Sequence, residues 1–477
     1  MANNFKHESN YLTVIPENIK IVQRFLLEEF GEEFPLISLL EYGIGVHLSG
    51  LSDEVKMLME WLFENSNIQI LVATTTIAQG VNFPVANIVL ASHQYPFGKD
   101  MPPEDFWNLA GRAGRVNQGS VGIIALAAKD QEKAEQLKKF VNKNVESLNS
   151  TLVHMVQQAI EQWGDLNLHL LYKQPEWSSF LQYLAHTYRQ IGNHEKFVTT
   201  VEQVLRGTLG FQDLRRNNPK AATDLVNGVR RYAEKISGRP LSLVDNTGFS
   251  WESVSKTLSR LKKERISQEI WDADNLFIQD SGSLQKILLI LQDIPELSKN
   301  LEQISGTGGV NQSSLANMIT DWVNGASLKE IAQEYFTTNV GGKTVKFTEA
   351  ITNCCQKLFK LNQTVSWGLS ALQTLTFKEE EFDLLPQAEQ KTLRNLPARV
   401  FYGVNSDDAI TLRLLGVPRK AAQPLAKQLG ERLFNQDLPL SRLRNELAKV
   451  DAIDWTQAMG QVGQDYYTIW KILEGNE

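Results

Sequence analysis

Cysteine is nearly absent from this chain: its 477 residues include two, Cys354 and Cys355, side by side. Adjacent cysteines are poorly placed for an ordinary disulfide or a four-ligand zinc site. That argues against a disulfide-built secreted domain and makes a cytoplasmic protein without a structural metal the expectation. Long apolar runs are missing too. The longest stretch free of Asp, Glu, Lys and Arg runs from Asn65 to Gly98, but Asn, Gln, Thr, Gly and Pro interrupt it repeatedly. Lipid would leave those groups unpaired, so the stretch predicts two buried strands with a loop between them and no membrane partner. The opening Met1 to Asn10 is polar and has no secretory signal. No repeat of fixed period marks a solenoid.

What is present supports folded cores. Hydrophobic side chains make up 42% of the chain, and its length allows about three domains. The net charge of −7 argues against a histone-like coat on nucleic acid. Its distribution is uneven. Residues 1–150 hold 12 basic and 18 acidic side chains, whereas residues 206–265 hold 13 basic and 6 acidic. A basic groove can therefore exist inside an acidic protein.

Residues 17–145 alternate between helix and strand signals. Glu17 to Phe30 is amphipathic, and Gly43 to His47 is a short candidate strand. Ser52 is placed to cap a helix with Asp53 and Glu54 in its first turn. Ile68 to Ala73, Ala86 to Ala91 and Val121 to Ala127 are aliphatic runs, the first two of the kind found in strands buried on both faces. Pro102, Pro103, Glu104 and Asp105 start another helix. This alternation predicts an α/β domain with a parallel sheet. Beyond residue 146 helical patterns dominate, so the fold class is α/β followed by mostly α. In Val254 to Ile266, Val254, Leu258 and Leu261 share one face, and Lys256, Arg260 and Lys263 lie on another.

Two stretches carry candidate chemistry. Val72-Ala73-Thr74-Thr75-Thr76-Ile77-Ala78-Gln79-Gly80-Val81-Asn82-Phe83-Pro84 brings small hydroxyls and a glycine turn to the end of a strand, where open α/β sheets bind ligands. Alone, it also reads as an ordinary strand-to-turn segment. Phe106-Trp107-Asn108-Leu109-Ala110-Gly111-Arg112-Ala113-Gly114-Arg115 sets two guanidiniums three residues apart, as a phosphoryl group would require. Alone, it is equally a glycine-terminated helix with two surface arginines.

Together, and with Gly43-Ile44-Gly45-Val46-His47-Leu48-Ser49-Gly50-Leu51-Ser52 before them, these stretches resemble the fifth and sixth motifs of superfamily 2 helicases, in the superkiller-type branch. The resemblance is strong over residues 40–128. It continues more weakly through Asp321-Trp322-Val323-Asn324-Gly325-Ala326-Ser327-Leu328-Lys329-Glu330-Ile331-Ala332, then Pro397-Ala398-Arg399-Val400-Phe401-Tyr402-Gly403-Val404, then Leu414-Leu415-Gly416-Val417-Pro418-Arg419. It implies a second RecA-like motor domain over residues 1–145, with a start that reads as truncated. A helical linker with a candidate winged helix (146–245), a ratchet-like helical region (246–400) and a C-terminal helical region (401–477) follow. By the same resemblance Arg112 and Arg115 are arginine fingers, while Gly80, Asn82, Asn108 and Gly111 bind nucleotide. Thr74, Thr75 and His47 would touch nucleic acid. The family usually has Gln at the position of Asn108 and a histidine pair at His47-Leu48.

The helicase type builds its ATP site between two motor domains, and the first one's phosphate loop and acidic magnesium motif are not found here. Val340-Gly341-Gly342-Lys343-Thr344 lacks the leading glycine, which Thr337 replaces, and it follows a helical segment instead of a strand. Only 42 residues precede the Gly43 strand, too few for a domain of roughly 150. The expectation is the C-terminal part of an ATP-dependent helicase acting on single-stranded DNA or RNA. ATP with Mg2+ would be shared with an N-terminal helicase half or subunit. Arg230, Arg231, Lys256, Arg260 and Lys263 would line the strand's path, although each also reads as an ordinary solvated side chain. The alternative is a non-enzymatic binding or scaffold subunit derived from a helicase.

Overall fold

The computed structural model describes residues 12, 14–48, 50–74, 87–92, 94, 101, 103–110, 123–141, 155–156, 158–161, 166–266, 268–305, 312–337, 344–377, 382–434 and 438–475. They divide between two compact units. One comprises Met1–Val14 and Leu39–Asn149, the other Ile15–Ser38 and Ser150–Glu477. Helix α1 (Glu17–Phe30) therefore packs in the second unit, although it precedes nearly all of the first in sequence.

In the first unit, β1 (Ile44–His47) pairs in parallel with β2 (Ile70–Ala73), Ile44 opposite Ile70 and His47 opposite Ala73. Helix α2 (Asp53–Glu64) makes the crossover. Its expected cap is present: the Ser52 hydroxyl accepts the Val55 backbone N–H at 3.4 Å, with Asp53 and Glu54 in the first turn. Val55, Leu58, Met59 and Leu62 are fully buried along one helix face that packs on β1. A Cβ at position 45 would meet the ends of the Ile68 and Leu71 side chains, which would have to shift to admit it.

Strands β3 (Asn87–Leu90) and β4 (Ile123–Leu126) form a second parallel pair, flanked by α3 (Pro103–Ala110) and α4 (Gln131–Val141). Leu90, Ile124 and Leu126 pack on a core of Met101, Phe106, Ala110 and Phe140. The Phe106 and Phe140 rings meet edge to face at 5.4 Å. The parallel α/β pattern is as the sequence implied, but its burial is not. Val89 is 63% exposed, so β3 half-buries alternate side chains instead of burying both faces, and β2 is only half-buried along Ile70–Val72 with Ala73 exposed; β4 alternates as β3 does. Period-two alternation decides this, and an unbroken aliphatic run conceals it.

The described part of the second unit is helical. Labelled in chain order, its helices include α5 (Pro219–Ile236), α6 (Trp251–Lys263), α7 (Gly282–Gln292), α8 (Pro295–Ser305), α9 (Gln312–Val323) and α10 (Leu328–Tyr335). They continue with α11 (Phe347–Thr376), α12 (Gln387–Tyr402), α13 (Arg419–Phe434) and α14 (Gly463–Leu473). The 30-residue α11 packs against α8, α10 and α12. Cys354 and Cys355 sit on it as buried free thiols. Burial pushes the Cys355 thiol up to about 12, which keeps it protonated and unreactive.

Helix α1 buries Ile19, Val22, Phe25, Leu26 and Phe30 in this unit. Phe25 meets Tyr466 of α14 edge to face at 5.4 Å, and Arg24 forms a forked pair with Asp465 at 2.6 and 2.8 Å. The three weaker resemblance segments also converge here, on Trp322. The indole N–H donates to the Val400 carbonyl at 2.8 Å, and the ring covers Gly403, whose φ of +66° suits glycine. Arg419 lies over the indole at 4.1 Å and donates to the Trp322 and Ala326 carbonyls at 3.2 and 2.7 Å. It completes its fork on Glu29 of α1 at 2.7 Å. Segments up to 390 residues apart are thus held by one guanidinium.

Candidate nucleic-acid interface

In the first unit, Thr74 follows β2 directly, exposed at the carboxyl edge of the β1–β2 pair. Its N–H donates to the His47 carbonyl at 3.3 Å, so the two residues nominated from separate motifs are brought together. The His47 ring itself points inward. It is 5% exposed, and its Nε2 lies 2.9 Å from the Glu60 carboxylate on α2. Asn108 lies on α3, near its C-terminal end. Thr75, Gly80, Asn82, Gly111, Arg112 and Arg115 lie outside the described residues, as does most of the glycine-lysine stretch at 340–344.

The basic candidates of the second unit are placed by two helices. Arg230 and Arg231 are exposed on α5, where Arg231 donates to the Leu166 carbonyl at 3.0 Å. Helix α6 begins at the Ser250 cap, which accepts the Ser253 N–H at 3.4 Å. It buries Trp251, Ser253, Val254, Thr257 and Leu261. Phe249 and Trp251 are buried, so neither offers the stacking surface that exposed aromatics would. The opposite face carries Lys256, Arg260 and Lys263 at four- and three-residue spacings, as the sequence pattern implied.

Tertiary packing adds partners that the helical pattern does not show. Lys256 reaches the Tyr172 hydroxyl and lies 4.8 Å from the ring centroid. Arg260 pairs with Asp293 at the end of α7 and approaches Glu264 at 3.6 Å. A cavity of about 490 Å³ opens between these groups, lined also by Lys173, Ser253, Thr257 and Ser298. Lys263, Arg230 and Arg231 do not line it. The sequence pattern missed Tyr172, Lys173 and Asp293. The adjoining aromatic and basic residues at 172 and 173 are a faint signal, and no local pattern links them to a helix 80 residues away.

Carboxylates stabilise the inner side of α6. Glu296 of α8 accepts from the Ser178, Ser250 and Ser253 hydroxyls at 2.6, 3.0 and 2.8 Å, and from the Ser250 N–H at 2.8 Å. Glu252 accepts from the Tyr232 hydroxyl at 3.2 Å, and burial raises its pKa above the ordinary value. The folded chain therefore holds that proton longer than the unfolded chain does. Glu252 favours the fold most at low pH, and its contribution declines as pH rises through the raised value. Glu252→Gln keeps an acceptor for Tyr232 without the buried charge. Its stability relative to wild type should rise as pH increases from below the ordinary carboxylate value to neutrality in parallel denaturant titrations. A constant difference across that range would disprove the assignment.

These placements describe a parallel α/β unit with Thr74 exposed at its carboxyl edge, and a helical unit with a basic face. Residues 19–117 match the family described as the helicase conserved C-terminal domain, so the chain carries a superfamily 2 helicase C-terminal domain followed by a helical region. It is similar to the Hachiman protein HamB of Bacillus cereus, 24% identical over 451 residues, which is 86% of this chain and 38% of that protein. The DExH-box ATP-dependent RNA helicase DExH14 of Arabidopsis thaliana is 31% identical over 134 residues, 27% of this chain and 6% of that one. The human activating signal cointegrator 1 complex subunit 3 is 36% identical over 107 residues, 21% of this chain and 5% of that one. The chain spans well under half the length of the curated relatives it matches.

Proposed function

We propose that this chain is the C-terminal part of an ATP-dependent nucleic-acid helicase of the superkiller-type branch, working with a first motor domain to complete its ATP site. The observation that carries this reading is the order of VATTTIAQGVNFP and NLAGRAGR, both inside the matched region 19–117. Arg112 and Arg115 would be the arginine fingers, with Gly80, Asn82, Asn108 and Gly111 around the nucleotide. This donor set of guanidiniums, amides and glycine backbone fits phosphate oxygens. It contains no carboxylate, so the Mg2+ that accompanies ATP would be held by the first motor domain.

ATP supplies the driving free energy through hydrolysis of its terminal phosphate. In this chain, Thr74 and Thr75 would hold the backbone of single-stranded DNA or RNA at the edge of β1 and β2. Contacts of that kind track a strand without reading its bases. Closing and reopening of the paired motor domains would then move the strand past the helical region.

The test is reconstitution. This chain alone should hydrolyse ATP at background level. Mixed with an N-terminal helicase half bearing a phosphate loop, it should show hydrolysis stimulated by single-stranded nucleic acid. A mixture that forms a stable complex yet stays at background would defeat the reading, in favour of a binding subunit.

A further inference from the structure

Residues 19–30 of α1 lie within the region that matches the helicase C-terminal domain, yet α1 packs in the helical unit. The chain therefore passes between the two units at 14/15, 38/39 and 149/150, where units in simple sequence order would need one passage. The stretch between the first two passages holds α1 and the start of a helical turn, Pro35–Leu40. Residues 41–43 join that turn to β1. Gly31 ends α1 at a φ of +83°, the Phe30 and Phe34 rings stack at 4.4 Å, and the Gln23 side chain donates to the Ile37 carbonyl at 2.8 Å. The path from α1 to β1 is thus short and tied back onto the helix it leaves.

The dock of α1 combines burial with direction. Ile19, Val22, Leu26 and Phe30 are buried, and the helix packs on α10 and α14. Apolar burial is non-directional and would by itself allow the helix to slide. Three ion pairs oppose sliding. Arg24 forks onto Asp465 of α14, and Glu29 accepts from Arg419 of α13. Glu28 receives the Lys420 ammonium at 3.3 Å on its carboxylate and at 2.8 Å on its carbonyl. Forked, charge-assisted contacts fix orientation as well as distance, so a displacement of α1 must carry α13 and α14 with it.

We propose that α1 is a coupling strap, through which movement of the first unit is imposed on the helical unit during the nucleotide cycle. This rests on the helicase reading and adds to it what the stroke acts on. Movement of β1 reaches α1 through Pro35–Leu40 and leaves it through Asp465, Arg419 and Lys420. Arg24 and Lys420 are positioning residues in this scheme. Neither touches nucleotide or strand, and their loss lets hydrolysis run without moving the helical unit.

The experiment uses the reconstituted pair with Arg24→Glu/Lys420→Glu in this chain. These changes set like charges against Asp465 and Glu28, while the apolar face and the buried Arg419–Glu29 pair stay intact. Strand-stimulated hydrolysis should remain within about twofold of wild type, and duplex unwound per ATP should fall about fivefold or more, the scale of an ordinary coupling between sites. Adding Asp465→Arg and Glu28→Lys, which exchanges the partners, should restore unwinding. Unchanged unwinding, no restoration, or hydrolysis and unwinding lost in the same proportion would each overturn the strap. The chain alone gives a measurement free of ATP: in mild denaturant, hydrogen exchange of α1 should follow that of α14. Exchange of α1 in step with β1 and α2 would also overturn the strap. A wild-type mixture without strand-stimulated hydrolysis defeats the helicase reading and the strap together, whereas a failure confined to the variants defeats the strap alone.

Discussion

Arg112→Ala should lower the nucleic-acid-stimulated ATP hydrolysis of the reconstituted pair by about a thousandfold or more, the usual contribution of an arginine finger. Arg115→Ala should act in the same direction. The loss should appear in kcat with KM little changed, because a guanidinium in the proposed role would act on charge that develops as the phosphoryl group transfers. Arg112→Lys should rescue poorly, since an ammonium cannot reproduce the planar fork. Binding of a single strand by this chain alone should be unaffected by either substitution. Full hydrolysis by both alanine variants would remove the arginines from the ATP site and return the glycine-arginine segment to an ordinary helix end.

Arg419→Met should destabilise the helical unit by about 3–5 kcal/mol, as expected when one partner of a buried ion pair is removed. The substitution strips the guanidinium from Glu29, removes the donors to the Trp322 and Ala326 carbonyls, and uncovers the indole. The Glu29→Met/Arg419→Met double variant should recover much of the loss, because no charge then remains buried at that position. Urea denaturation followed by tryptophan fluorescence would compare the two. A single variant as stable as wild type, or a double variant no better than the single, would show that Arg419 does not organise this core. The three resemblance segments around Trp322 would then need another common cause.

Local signals in the sequence located much of this architecture. The Ser52 cap with Asp53 and Glu54 marked the start of α2, because capping depends on residues within one turn. The spacing of Lys256, Arg260 and Lys263 marked one helix face for the same reason. Strand positions were legible to within a few residues, but their exposed faces were not. Val89 and Leu90 are both aliphatic, and only the packing of Leu90 on the Phe106 core distinguishes them. Similarly, His47 reads as an available ring at the end of a strand until Glu60, 13 residues later, is seen to hold it.

The sequence by itself determined the order of strands and helices, the motif spacing that marks a superfamily 2 helicase C-terminal domain, and the basic excess behind an acidic first segment. Each depends on residues close together in the chain. Tertiary structure alone decided where α1 packs, which cations share a cavity, and what Arg419 is for. Those outcomes depend on Glu29 meeting Arg419, Arg24 meeting Asp465, and Lys256 meeting Tyr172. Such pairings arise when apolar faces far apart in sequence are buried together, and no local periodicity records which polar groups are brought together at their edges.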